Sequence, residues 1–470
     1  MTAPGTKRLS VVLLVMLAVV LAVLAYLGVG GGRQYLANRG FTPLAIPAET
    51  VAPAAIASAL AGARTAPAAP SADPGAPAPT AAGVAAALAK KLTSTDLGPS
   101  VSAQVYDART GASLFGRRPD DVIAPASTAK LLTAAAVLTA RNATDRFATR
   151  VLAGSAPGEV VLVGGGDPTL SAAVAGRPTE YPQAARISDL AAKVRAALGS
   201  TRVTRVLIDG SLFTGASTAP SWEPADAPSE YASAITALMV DAGRDRPGAG
   251  TRSAAPDLAA GNALAAALGG ADVSRGGAPA GAKVLAEVRS APVGELVEQM
   301  LRNSDNVIAE VLARQVAIAA HQPVTFAGAA AAVSASLRPL GVIAGDGMRD
   351  GSGLSTADRL PASALTQALL AAVDPAKPRL GPLLSGLPVA GWDGTLTEED
   401  RFTGSSAVAD GFVRAKTGSL TGVSSLAGLA TDADGRLLVF AFVADRAPSE
   451  GATRAPIDGL TAALVRCGCR

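Results

Sequence analysis

The chain has 470 residues, 49% of them apolar and only 3% aromatic, which excludes a wholly disordered polymer and predicts cores built on Ala, Val and Leu. Its 41 basic and 38 acidic residues leave a formal charge of +3 without long runs of one sign, which excludes a nucleic-acid-binding footprint. Cys467 and Cys469 stand at the C-terminal end with no second pair beside them, and His321 is the single histidine, so neither a zinc site nor a two-histidine peptidase centre can be assembled.

Residues 9–29 carry no charge and follow Lys7 and Arg8. That length crosses a bilayer as a helix, and the positive flank keeps the N-terminus inside. The apolar run continues into Gly30-Gly-Gly32 rather than a small-x-small cleavage site, so an uncleaved single-pass anchor is expected, with residues 1–8 cytoplasmic and the remainder outside. Residues 30–82 follow as an Ala/Pro-rich spacer that cannot bury a core. Folded character is expected from Gly83, with a helix to Leu92, a strand over 101–107 and a second strand ending near Phe115. Pro125 precedes a helix-forming run over 127–140, and later runs over 293–301 and 307–319 are also helical in period. Towards the C-terminus, 412–419, 424–430 and 437–444 read as strands, the last two joined by Asp432-Ala-Asp-Gly435, and a terminal helix is expected from about Pro456. Two early and three late strands can then share one antiparallel sheet covered by helices from the middle of the chain.

Three short motifs carry chemistry. Ser127-Thr-Ala-Lys130 puts a hydroxyl and an amine on one helical face within a turn, and a neutral lysine there can take the serine proton. Of eight lysines, Lys130 alone has serine three places before it. Ser304-Asp305-Asn306 opens a helix and reads equally as an N-cap or as a hydroxyl and amide pair. Lys416-Thr417-Gly418 lies within a predicted strand, where glycine signals close approach of another group to the backbone, and a lysine beside a threonine hydroxyl suits a carboxylate.

In this order the three motifs are far more specific than any one of them, and the chain resembles the penicillin-recognising serine acyl-enzymes. The wide gap between Ser127 and Ser304 requires an inserted domain. Within it, Gly158 to Leu170 and Arg205 to Gly215 are similar to segments of the class C low-molecular-mass penicillin-binding proteins, the D-alanyl-D-alanine carboxypeptidase and endopeptidase group, as are Asp350-Gly-Ser-Gly-Leu-Ser355, Leu387 to Leu396 and Ala415 to Leu420. The resemblance implies an α/β fold of the serine β-lactamase and transpeptidase type, a five-stranded antiparallel sheet covered by helices, with a catalytic domain over 83–150 and 286–470 and a smaller α/β domain inserted at 151–285. The Gly/Ala-rich stretch 243–281 is expected only to separate the insert from the return to the catalytic domain.

The resemblance also implies a membrane-held, extracytoplasmic hydrolase acting on peptidoglycan stem peptides and inhibited by β-lactam antibiotics, with no metal or organic cofactor. Ser127 would be the nucleophile and Lys130 its base, kept neutral by partial burial and by a second cation such as Lys416. Ser304 would relay a proton to the leaving amine, Asn306 would hold the substrate amide, and Lys416 with Thr417 would receive the terminal carboxylate. The Ser127 and Ser419 N–H groups would form the oxyanion hole, and Gly418 would belong with Thr417 and Ser419 to the substrate-binding strand. Asp226 matches the position that binds the amino group of diaminopimelate, and Trp222 is expected to be a packing residue. Some members carry a basic residue where this chain has Thr356, so either Arg359 substitutes or the substrate lacks a free carboxylate there. A non-catalytic penicillin-binding scaffold, and a β-lactamase or esterase, are the alternatives on the same framework.

Overall fold

The computed structural model describes residues 73, 75–397 and 401–470. The expected anchor at 9–29 lies outside them, and among the described residues no helix is long and apolar enough to cross a membrane. In chain order the principal elements are α1 (Ala81–Ala89), β1 (Ser100–Asp107), β2 (Ser113–Arg117), β3 (Val122–Ile123), α2 (Lys130–Ala140), β4 (Ala148–Ala153), β5 (Glu159–Val163), α3 (Ile187–Leu198) and β6 (Arg205–Asp209). They continue with α4 (Pro256–Ala267), β7 (Asp272–Arg275), β8 (Val284–Arg289), α5 (Val293–Arg302), α6 (Asn306–Ala319), α7 (Phe326–Leu337), β9 (Leu360–Pro361), α8 (Ala362–Val373) and α9 (Gly381–Ser385). The last are β10 (Val413–Leu420), β11 (Val423–Thr431), β12 (Leu437–Asp445) and α10 (Glu450–Arg466).

Alternation along the strands decides the layers. In β12, Leu438, Phe440, Phe442 and Ala444 face a core shared with Val84 and Leu88 of α1 and Leu460 and Leu464 of α10. The intervening Val439, Ala441 and Val443 face the larger core of α2, α6, α7 and α8. The strand so buried on both faces is the central one of its sheet, whose order is β10-β11-β12-β1-β2 with every pairing antiparallel. The five expected strands thus share one sheet. Helices cover both of its faces, because the first and last helices pack behind it as well as the middle ones in front. That leaves β10 at an edge, with backbone groups available to a ligand. Its first residues are occupied by the segment at 388–390, through Ala415 N–H to the Pro388 carbonyl (3.0 Å) and Ala390 N–H to the Val413 carbonyl (3.0 Å).

The inserted segment forms a second sheet, ordered β7-β6-β5-β4-β8. β5, β6 and β7 run parallel, so α3 and α4 must serve as crossovers, while β4 and β8 are antiparallel neighbours at the chain's entry and exit. The stretch 243–281 is therefore more than a separator: it supplies α4 and β7. Gly261 is what lets α4 lie on the sheet, since a Cβ there would come within 2.6 Å of the Ile208 side chain.

Two boundaries move. The chain is seated before Gly83: Asp73 N–H reaches the Gly435 carbonyl (3.0 Å) and Thr80 caps α1 through Gly83 N–H (3.1 Å). The terminal helix begins at Glu450, capped by Ser449, and carries Pro456 in its interior. Cys467 and Cys469 are joined to each other after its end, and His321 is an exposed residue just past the end of α6.

Candidate active site

Ser127 stands on a single 3-10 turn, Ala126–Ala129, which runs directly into α2, rather than on the α-helix itself. The turn is closed on itself and pinned from the sheet: the Pro125 carbonyl accepts from the turn's own Thr128 Oγ1 (2.6 Å) and from Ser425 Oγ on β11 (2.7 Å). Two glycines let other backbone close around it. A Cβ at Gly418 would lie 2.2 Å from Ser425 Oγ, 2.9 Å from the Pro125 carbonyl oxygen and 3.0 Å from Ser127 N. A Cβ at Gly353, which has φ 77°, would lie 2.0 Å from the Ala126 carbonyl oxygen. Only glycine satisfies either position, and the Gly418 contact draws the strand carrying Ser419 against the nucleophile's own N–H.

Lys130 is fully buried. Its Nζ donates to Ser127 Oγ (2.8 Å), Asn306 Oδ1 (2.5 Å) and the Ser352 carbonyl (2.7 Å), which aims one ammonium hydrogen at each partner. Burial pushes its pKa down to about 8, and it does so against Asp350, Glu310, Asp305 and Asp358, whose charges act to raise it. Desolvation is thus the leading cause: of the burial and neighbouring cation expected from the sequence, it is burial that lowers the pKa.

The Ser352 carbonyl is aimed by Asp350. One carboxylate oxygen accepts N–H groups from Ser352 (3.0 Å) and Gly353 (2.6 Å), and the other accepts from Ser355 N–H (2.7 Å) and Trp222 Nε1 (2.7 Å). Trp222 packs edge-on against Phe326 at 5.3 Å, a packing residue as expected. Gly351 N–H is held by both oxygens of Glu310 at 3.0 Å, and burial followed by the charge of Asp350 pushes the Glu310 carboxyl well above its ordinary range.

Ser304 has φ 55°, a left-handed backbone for a non-glycine residue, and its Oγ accepts from Lys416 Nζ (2.9 Å). Lys416 Nζ also reaches the Thr417 carbonyl (2.8 Å), and Thr417 Oγ1 lies 2.9 Å from Thr395 Oγ1. Asp305 is the N-cap of α6, its Oδ1 taking the N–H groups of Val307 (2.9 Å) and Ile308 (3.1 Å). The middle residue of the Ser304-Asp305-Asn306 motif is thus the cap, while its outer two point towards Lys416 and Lys130. Asn306 Nδ2 donates to the Tyr231 carbonyl (3.1 Å), which orients the amide so that its oxygen meets Lys130.

These groups open onto one cavity of about 580 Å³ lined by Ser127, Ser304, Asn306, Thr417, Ser419 and, from the insert, Asp226 and Tyr231. Asp226 Oδ2 accepts from Glu223 N–H (2.8 Å), which fixes its loop on the rim. Arg244, Arg252, Thr395 and Arg454 also line the cavity and were not singled out in the sequence, since each lies outside the three motifs. Arg359 is not a lining residue: it opens onto a separate groove with Arg118 and Arg446, and its Nη1 donates to the Thr356 carbonyl (2.9 Å) and the Asp358 carbonyl (2.6 Å).

Residues 84–249 and 244–464 match the D-Ala-D-Ala carboxypeptidase 3 (S13) family. The chain belongs to this family. It is accordingly a serine D-Ala-D-Ala carboxypeptidase of the penicillin-binding type. Over 398 residues it is 45% identical to Carboxypeptidase Rv3627c of Mycobacterium tuberculosis, covering 83% of this chain and 85% of that one. It is 44% identical to Carboxypeptidase DacB of Mycolicibacterium smegmatis with the same coverage. Among solved structures, penicillin-binding protein 4 of Haemophilus influenzae has the same fold, with a TM-score of 0.65 at 20% identity over 79% of this chain and 97% of that one.

Proposed function

We propose that this carboxypeptidase works through an acyl-enzyme on Ser127. Neutral Lys130 takes the Oγ proton as Oγ attacks the carbonyl of the penultimate D-alanine of a peptidoglycan stem peptide. The oxyanion is received by the N–H groups of Ser127 and Ser419. Ser304 passes a proton to the leaving amine, the C–N bond breaks and the terminal residue departs. Lys130, made neutral again by passing the serine proton on through Ser304, then takes a proton from water as the water attacks the ester; the bond between the acyl carbon and Oγ breaks, and Lys130 returns that proton to Ser127 Oγ. Lys416, Thr417 and Thr395 hold the terminal carboxylate, Gly418 keeps the oxyanion site open to Ser127 N–H, and Asn306 holds the substrate amide. The observation that carries this reading is the Lys130 Nζ, fully buried and 2.8 Å from Ser127 Oγ. The edge strand β10 supports it further, because its Thr417 and Ser419 line the cavity and an extended peptide can add to a sheet edge there.

Asp226 on the rim suits the amino group of a diamino acid side chain. With Arg359 turned to another groove, a side chain without a free carboxylate fits Thr356 better than one with it. The same site would open D-Ala–diaminopimelate cross-links, which differ only in the group that leaves, and β-lactams would acylate Ser127. The test is intact-mass measurement after incubation with benzylpenicillin and, separately, with D-Ala-D-Ala pentapeptides bearing a free or an amidated side-chain carboxyl. A stable adduct and loss of one alanine, faster from the amidated peptide, are expected. An adduct with no peptide cleavage would leave a scaffold, and rapid penicillin turnover would leave a β-lactamase.

The charge-free run at 9–29 supports a single-pass anchor holding the catalytic region outside the membrane. Fractionation of cells expressing the whole chain or one lacking residues 1–29 tests it. Recovery of both in the soluble fraction would refute the anchor.

A further inference from the structure

We infer that Arg252 and Tyr181, both from the inserted segment, are positioning residues for the reaction: acting through Asp305, they hold Ser304 and Asn306 in register with Lys416 and Lys130. This rests on the reading that Ser304 and Asn306 take part in acylation.

Asp305 lies between those two residues and is 4% exposed. While its Oδ1 caps α6, its Oδ2 accepts the Tyr181 hydroxyl (2.8 Å) and Arg252 Nη2 (3.0 Å). Arg252 Nη1 is spent on the Ala242 carbonyl (2.7 Å), so the guanidinium ties the carboxylate to the insert's backbone. Arg244 stands behind it, 3.7 Å from the same oxygen and 2.9 Å from Glu180 Oε1. Burial alone would raise the Asp305 pKa, yet the charge and hydrogen bond of Arg252, with the Ile308 N–H and Arg244, bring it down to about 2.

An N-cap needs no charge: serine or asparagine caps as well as aspartate. A buried carboxylate is costly unless paired, so this turn can take its observed form only when the insert delivers its guanidinium. Ser304 adds a second demand. A non-glycine residue at φ 55° persists only where its surroundings over-determine it, and Asp305, clamped from the insert, is the next residue. What the clamp sets is the placement of Ser304 Oγ, 2.9 Å from Lys416 Nζ, and of Asn306 Oδ1, 2.5 Å from Lys130 Nζ. Asn306 is held from the same side by the Tyr231 carbonyl. The insert thereby completes the catalytic turn as well as walling the cavity.

The experiment resolves benzylpenicillin acylation of the whole chain into initial binding and the acylation rate constant. It compares Arg252→Met, Arg252→Lys, Tyr181→Phe, Asp305→Asn and the double variant Arg252→Met with Asp305→Asn. Arg252→Met is expected to slow acylation about a hundredfold with initial binding little changed, the scale of a small misplacement of reacting groups. Arg252→Lys should recover part of that loss. The double variant should be no slower than Asp305→Asn alone, because a neutral amide no longer needs the cation. Tyr181→Phe, which removes one hydroxyl and spares the fold, should cost about tenfold.

Acylation within about twofold of the parent in both Arg252→Met and Tyr181→Phe would overturn the inference. So would losses that add in the double variant together with weakened binding, since Arg252 would then act on the ligand directly. Asn306→Ala separates the two layers. If it acylates like the parent, the participation of the turn itself fails. If it is crippled while Arg252→Met is not, only the positioning role fails.

Discussion

Ser127→Ala is expected to lower peptide turnover about a million-fold and to abolish the penicilloyl adduct, the scale on which a serine hydrolase depends on its nucleophile. Noncovalent binding of the peptide should survive, because the groups placed around its carboxylate, Lys416, Thr417 and Thr395, are held by one another and by the sheet and not by Ser127. Fold and stability should survive as well: Ser127 is partly exposed and its hydroxyl meets Lys130, while the turn is pinned through the Pro125 carbonyl by Thr128 and Ser425. Intact-mass spectra and peptide hydrolysis on the same preparation, with calorimetry as a check on folding, decide the matter. A penicilloyl adduct forming on the variant at the parent rate would move the nucleophile elsewhere and remove the premise of the mechanism.

The five strands of the first sheet and the three motifs were legible because each rests on local signals: alternation of apolar residues in β1, the unbroken apolar run of β12, the Asp-Ala-Asp-Gly turn at 432–435, and side-chain types at fixed spacing. Gly418 was legible as a close approach, but not what approaches, since Ser127 N is almost three hundred residues away in the chain. The rest of the site is non-local in the same sense. Nothing in Asp350-Gly-Ser-Gly-Leu-Ser355 announces that its carboxylate folds the segment so that the Ser352 carbonyl meets Lys130. Arg244 and Arg252 lie in a Gly-rich stretch whose low complexity suggested a spacer, yet the partner that gives them meaning, Asp305, belongs to another motif. Arg359 shows the converse. Its distance from Thr356 along the chain allowed it to serve the site, but its guanidinium is drawn to the Thr356 and Asp358 carbonyls and opens onto a different groove.

The acylation rate constant should rise with pH along a slope of one up to about pH 8 and level off above it, because only neutral Lys130 can accept the Ser127 proton and its pKa is about 8. The sign follows from desolvation: burial penalises the ammonium form, so the proton is lost at lower pH than from a free lysine. At pH 7 roughly one site in ten is then ready to react, against about one in three thousand for an ordinary lysine. Burial therefore accounts for about a three-hundredfold gain in working base. Lys130→Arg separates this from hydrogen bonding alone. The guanidinium keeps a cation near the Asn306 and Ser352 oxygens but does not lose a proton in the working range, so acylation should fall at least a thousandfold and the pH slope should vanish. The measurement is the acylation rate of benzylpenicillin from pH 5.5 to 9.5 in the parent and in Lys130→Arg. A pH-independent rate in the parent would show that Lys130 works as a fixed cation and that another group takes the proton. A slope centred near pH 10 would show that the carboxylates of Asp350 and Glu310 outweigh burial, contrary to the downward shift set by desolvation.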